Sequence, residues 1–127
     1  MHLSNLEWFR RFLPALAWTL LTFLLSISPS PQLPEAGFIS PDKLGHLFFY
    51  ALMFYLWWYG CFISGFIHSN NRVFIYVCIA VFCCGFGVLM EYIQFTYFPH
   101  RNFETADMLS NTLGVLAALG YAFFCKK

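Results

Sequence analysis

The uncharged stretch from Val73 to Met90 restricts the fold of this chain more than any other sequence feature. Three further long apolar runs accompany it, and only 10% of the residues are charged, compared with about 25% in soluble domains. A soluble domain of this size leaves much of its surface exposed to water and could not cover so many apolar side chains. We therefore predict an all-α, polytopic membrane protein in which four transmembrane helices form one bundle.

The predicted helices cover about residues 12–28, 41–63, 73–98 and 107–125 of a single domain, 1–127. Runs of about 17–25 mainly apolar residues are long enough to cross a bilayer. Pro14 falls in the first turn of the first predicted helix, where its missing N–H is tolerated. A secretory signal peptide is the alternative for this run, but no A-x-A-like cleavage site follows it, so we predict an uncleaved helix.

The second helix has a clear predicted start. Ser40 followed by Pro41 is typical of an N-cap and a first helical position. Pro29, Pro31 and Pro34 exclude a helix from the loop before it, because closely spaced prolines remove backbone donors and clash with preceding carbonyls.

Basic residues predict the orientation. Five of them fall on one side of a four-span layout and only Lys43 and Arg101 on the other, so both termini are expected in the cytoplasm. The five are Arg10, Arg11, Arg72, Lys126 and Lys127. A net charge of +1 gives no footprint for nucleic-acid binding. None of the cysteines falls in a predicted outer loop, and no disulfide is expected.

Polar side chains from four separate segments are predicted at one depth, near the outer end of the bundle. Ionisable residues at membrane depth usually face the protein interior or a water-filled cavity, so we predict a shared ligand-binding site. Its members are Asp42, Lys43 and His46 of the second helix, Glu91 and Gln94 of the third, Arg101 of the following loop, and Asp107 and Asn111 of the fourth helix.

Several of these residues also have a structural explanation. Asp42 and Asp107 fall in first helical turns, where a carboxylate is favoured, and Gln94 and Asn111 could join helices by hydrogen bonds. Glu91 lies near a helix end, where the dipole disfavours a carboxylate. We therefore expect Glu91 to pair with Lys43, Arg101 or His46, whereas Glu104 and Glu35 are expected to be solvated.

Small residues recur every four positions on the fourth helix, at Ser110, Gly114 and Ala118. This pattern allows a neighbouring helix to approach closely, and we assign it to packing.

The polar residues also form four motifs in series: Asp42-Lys43-x-x-His46, Glu91-x-x-Gln94, Pro99-x-Arg101 and Asp107-x-x-x-Asn111-x-x-Gly114. Their order and spacing resemble those of the VanZ-like family of small bacterial membrane proteins. His100 is a departure, since the family often has glycine there. The resemblance implies a multi-span protein of the bacterial cytoplasmic membrane and cell envelope. It also implies a role of the type that the family's named member has in resistance to the glycopeptide antibiotic teicoplanin.

The favoured function is binding of membrane lipids through an outward-facing site, with an anionic envelope lipid or cell-wall precursor as the ligand. Lys43 and Arg101 would contact its phosphate, and Gln94 and Asn111 would orient the headgroup. The sequence does not identify a protein partner.

Three alternatives stay open. In a membrane enzyme acting on a lipid-linked substrate, His46 or Glu91 would be the base and Asp42 would hold the imidazole tautomer. A structural or partner-binding bundle is the second. Metal binding is the third, but its ligand types are scattered along the chain, and we predict no metal and no other cofactor. Those ligand types are Asp42, His46, Glu91, His100 and Asp107.

Overall fold

The computed structural model describes residues 5–29, 40–99 and 101–125. Its helices are α1 (Asn5–Ile27), α2 (Pro41–Ile63), α3 (Arg72–Tyr97) and α4 (Thr105–Phe124), and these described ranges contain no strand. Each helix is long and apolar enough to cross a membrane. The chain is therefore an all-α, multi-pass membrane protein, as the sequence predicted.

Local sequence explains the bounds of α2. The Ser40 side chain accepts a hydrogen bond from the Lys43 N–H at 3.4 Å, and Pro41 occupies the first helical position. The helix ends at Ile63, where the Ser64 N–H bonds to the Gly60 carbonyl. Both ends agree with the prediction, because a capping side chain and a proline define the start more sharply than apolar periodicity does.

The prediction for α1 was wrong at its start. The helix is already formed at Asn5, so Pro14 lies inside it and not in its first turn. Contacts with the turn after α2 explain the extension. The Arg11 guanidinium donates to the Ile63 carbonyl, and the rings of Trp8 and Phe66 meet edge to face at 4.3 Å. A cationic side chain is favoured beside a helix C-terminus, so Arg11 is stabilised at the end of α2 and α1 continues through it.

Interhelical hydrogen bonds define the direction of each helix. Gln94 near the end of α3 donates to the Ser26 carbonyl near the end of α1 at 2.7 Å, and Tyr76 near the start of α3 donates to the Ala122 carbonyl of α4 at 3.2 Å. Arg11 near the start of α1 also bonds to Ile63 at the end of α2, so successive helices run in opposite directions and α2 is parallel to α4. The first turns of α2 and α4 lie at the same end of the bundle, which we call the site end.

The core lies mainly between α2 and α4, the pair that packs together most extensively, with α3 against both. Only 11% of the apolar span of α1 is buried, which makes α1 the peripheral helix. Large apolar side chains are exposed along all four helices, as expected where lipid is the solvent. The buried members of the core are Tyr50, Met53, Phe54, Trp58, Tyr76, Ile79, Cys83, Val115 and Ala122.

Gly114 brings α4 against the backbone of α2. A Cβ at this position would overlap the Leu47 carbonyl oxygen and would lie 3.1 Å from the Ala51 nitrogen. Gly87 of α3 has a similar role, because its Cβ would lie 3.1 Å from the Asn111 amide nitrogen. The predicted packing role of the small-residue pattern is thus seen at Gly114.

Some predictions fall outside the described residues. These are the loop at 30–39 with Glu35, the turn residue His100, and the basic pair Lys126 and Lys127.

Candidate functional site

A hydrogen bond between α2 and α4 forms the centre of the site end. The Nδ1 atom of His46 lies 3.0 Å from Oδ1 of Asn111, which is only 2% exposed. An amide oxygen can only accept, so His46 donates through Nδ1–H. In the neutral ring, Nε2 then carries the lone pair. Asn111 therefore holds this tautomer, and not Asp42, the residue predicted for that role if the protein is an enzyme.

The other ring nitrogen of His46 faces two carboxylates. Its Nε2 atom lies 3.6 Å from Oδ2 of Asp107 and 3.9 Å from Oδ1 of Asp42. Asp42 precedes His46 by one helical turn and is exposed, whereas Asp107 comes from the first turn of α4 and is only 7% exposed. The partly positive start of α4 favours a carboxylate at that position.

Lys43 connects the same two helix ends. Its ammonium group lies 3.7 Å from Oε2 of Glu104 and 3.9 Å from Oδ1 of Asp107. The pairing with Glu104 is solvent-exposed and contributes little to stability. Oδ1 of Asp107 is buried and accepts no hydrogen bond from any described residue. A buried acceptor without a donor is costly, so this atom is available for a bound group.

Glu91 lies beside this cluster but does not form the ion pair that we expected. Its side chain is buried, at 2% exposure, and no described basic side chain lies within 4.0 Å of the carboxylate. Asp107 and His46 are the ionisable groups that act on it most strongly, and the backbone N–H of Glu104 is a nearby donor. The depth of Glu91 was predictable, but Lys43 points toward α4 instead.

Gln94 and Arg101 lie apart from the His46 cluster in their contacts. Gln94 is buried and joins α3 to α1 through Ser26, which is the structural role that the sequence analysis left open. Arg101 is half-buried in the loop before α4, and its backbone N–H donates to the Phe98 carbonyl. None of the acidic residues in the described ranges lies within 4.0 Å of its guanidinium.

The structure thus brings five of the eight predicted site residues into one cluster. It also adds Glu104, which we had set aside as solvated. Glu104 is half-exposed but contacts Lys43, and its place at the N-cap of α4, three residues before Asp107, was the available signal. The five are Asp42, Lys43, His46, Asp107 and Asn111.

Three members of the cluster have side chains of the kind that bind metal ions. One ligand atom each from Asp42, His46 and Asp107 lies within 4.8 Å of the other two. The prediction that no metal binds rests on the scattering of the ligand types along the chain. For these three residues, the fold removes that reason.

Comparison of the chain with protein-family models, with curated proteins and with solved structures found no match. The resemblance to the VanZ-like family therefore rests on the four motifs alone and stays a prediction.

Proposed function

We propose that this protein lies in a bacterial cytoplasmic membrane with its termini in the cytoplasm and its site end outside. The basic residues support this orientation. Arg11 contacts the turn after α2, and Arg72 begins α3, so both lie at the end opposite the site. A basic excess favours the cytoplasmic side.

At the site end, the protein binds the headgroup of an anionic envelope lipid or of a lipid-linked cell-wall precursor. The observation that carries this proposal is the meeting of charged and amide side chains from α2 and α4 at one end of an apolar bundle, with Oδ1 of Asp107 buried and lacking a donor. Ionisable groups at membrane depth mark ligand or ion sites far more often than they mark lipid-facing surface.

The charges narrow the class of headgroup. Arg101 has no carboxylate partner among the described residues and matches a phosphate as a bidentate donor. Asp107 requires a donor, which a hydroxyl or amino group of the same headgroup supplies. A headgroup with a phosphate beside hydroxyl or amino groups, such as a phosphoglycerol or a sugar phosphate, fits both. Teicoplanin resistance by the VanZ-like resemblance is the corresponding cellular role.

The test compares lipids retained by two arginine variants. Arg101→Gln removes the phosphate contact, and Arg72→Gln removes an arginine at the opposite end as the matched control. Native mass spectrometry of the purified protein should show a phosphate-bearing lipid enriched over bulk membrane lipid. Loss of a charged hydrogen bond costs about 1.5–3 kcal/mol, so Arg101→Gln should bind this lipid about 10- to 100-fold more weakly.

Equal lipid retention by Arg101→Gln and Arg72→Gln would contradict the proposal. Absence of any enriched lipid would do the same, and it would favour the alternative of a structural bundle, for which the bond from Gln94 to Ser26 is the supporting contact.

A further inference from the structure

The spacing of three ligand atoms at the site end is close to that around a metal ion, because all three lie within 4.8 Å of one another. His46 Nε2 lies 3.6 Å from Oδ2 of Asp107 and 3.9 Å from Oδ1 of Asp42. Nitrogen and oxygen ligands at about 2.0–2.2 Å from a tetrahedral zinc ion are about 3.3–3.6 Å from one another. Small side-chain movements would therefore place all three atoms on one ion.

The arrangement on the helices also suits a metal. Asp42 and His46 are four residues apart on one face of α2, the spacing by which a single helix presents two ligands to the same ion. Asp107 supplies the third ligand from the first turn of α4.

An independent observation points to a missing ligand at the same place. Asp107 is only 7% exposed, and its Oδ1 atom is buried with no hydrogen-bond donor among the described residues. Among the described residues, Lys43 is the cation nearest to this oxygen, at 3.9 Å, which is beyond hydrogen-bonding distance. A metal ion held through the other oxygen, Oδ2, would bring a bound water or a headgroup hydroxyl close enough to donate to this oxygen, so the metal and the headgroup contact are compatible.

Asn111 orients the imidazole as metal sites require. Histidine ligands almost always donate their other N–H to a carbonyl or carboxylate, which fixes the tautomer and the ring plane. The bond from His46 Nδ1 to Asn111 at 3.0 Å does this and directs the Nε2 lone pair toward the two aspartates.

We propose that Asp42, His46 and Asp107 bind one divalent metal ion, and that zinc is the ion they fit best. Imidazole nitrogen disfavours calcium and magnesium, and the absence of sulfur from this set disfavours copper(I). Three protein ligands leave a fourth position for water or a ligand oxygen, as in open zinc sites. A cation is electrostatically favoured because acidic side chains outnumber Lys43 around the site. These acids are Asp42, Asp107, Glu91 and Glu104.

This metal site does not depend on the proposed lipid ligand, and its test uses the metal alone. Protein purified in detergent is stripped with a chelator and reloaded with Zn²⁺. Elemental analysis gives the stoichiometry, and competition with a zinc indicator gives the Kd. One zinc per chain is expected, and Co²⁺ in its place should show the intense visible absorption of a four-coordinate site.

Each of the three proposed ligands can be replaced by a residue of similar size, and the positioning residue Asn111 can be shortened. Asp107→Asn and His46→Gln should lower zinc affinity at least 100-fold, and Asn111→Ala, which loosens the imidazole, should lower it about 10- to 100-fold. Asp42→Asn changes an exposed side chain, so it should fold even if a variant of a buried ligand misfolds, and the metal proposal can still be tested with it. It should also weaken binding at least 10-fold.

One variant controls for adventitious binding. His68→Gln removes an exposed imidazole from the turn after α2, at the end opposite the site. It should keep one tightly bound zinc. Zinc far below one per chain in the wild type would overturn the proposal. Retention of full affinity by Asp42→Asn and Asp107→Asn, or its loss in His68→Gln, would overturn it as well.

Discussion

Gly114→Ala tests whether the close approach of α2 and α4 holds both the bundle and the site together. The added methyl group would overlap the carbonyl oxygen of Leu47 and would lie 3.0 Å from its carbonyl carbon and 3.1 Å from the Ala51 nitrogen. These are backbone atoms, so no side-chain rotation can relieve the contact. The two helices must separate, by on the order of 1 Å, to restore ordinary van der Waals distances.

The expected loss of stability in Gly114→Ala is the difference between two opposing effects. Overpacking a well-packed core costs about 1–3 kcal/mol, and a backbone obstacle places this case at the upper end. Replacing glycine by alanine inside a helix recovers about 0.5–1 kcal/mol. The net loss is therefore about 2 kcal/mol, which for a chain of this length lowers Tm by roughly 5–10 °C.

Gly120→Ala is the matched control on the same helix, because a Cβ there meets nothing within 4 Å. Thermal unfolding of both variants in the same detergent should show a lower Tm for Gly114→Ala and an unchanged or higher Tm for Gly120→Ala. Separation of the helices also lengthens the bond from His46 to Asn111, so zinc affinity should fall in Gly114→Ala alone. A Tm for Gly114→Ala equal to that of Gly120→Ala would refute the packing argument.

Three further predictions follow from the charges and the topology. Lys43→Gln removes a cation 3.9 Å from Asp107 and should tighten zinc binding about 10-fold in the same competition assay. Weaker zinc binding would contradict this and would indicate that Lys43 holds a bound anion beside the metal. Glu91→Gln leaves no described cation unpaired, so its Tm should stay within about 3 °C of wild type, and a larger fall would reveal a partner for the carboxylate. In a cysteine-free background, a Glu104→Cys thiol should react with an impermeant reagent on intact cells and an Asn70→Cys thiol only after lysis, since they lie at opposite ends; the reverse pattern would invert the proposed orientation.

The sequence predicted the helices well because long apolar runs and local caps are sufficient to define them. Ser40 and Pro41 specify the start of α2 through chemistry that requires no tertiary contact. The start of α1 was missed because the contact of Arg11 with the end of α2 lies outside any local pattern.

The members of the site were more predictable than their pairing. Residue counts along each helix gave the common depth of Lys43 and Glu91, but depth does not specify the direction of a side chain around the helix axis. That direction depends on which helices pack together. The extensive packing of α2 against α4 directs Lys43 toward Asp107 and Glu104 and leaves Glu91 without the expected pair. The group of metal ligands was hidden for the same reason, because α2 and α4 are separated in sequence by all of α3.

The pairing of α2 with α4 also sets an order of events during biosynthesis. His46 is separated from its partner Asn111 by 65 residues, which translation at about 5–20 residues per second adds in roughly 3–13 s. During that interval α2 has already emerged, while α4 and the partners it brings do not yet exist. Until α4 is made, the first turns of α2, which carry His46, have to remain at the membrane surface or in contact with a translocation factor. Nascent chains arrested before α4 should therefore crosslink to the insertion machinery through α2 for longer than through α1, whose hydroxyl side chains donate to carbonyls of their own helix.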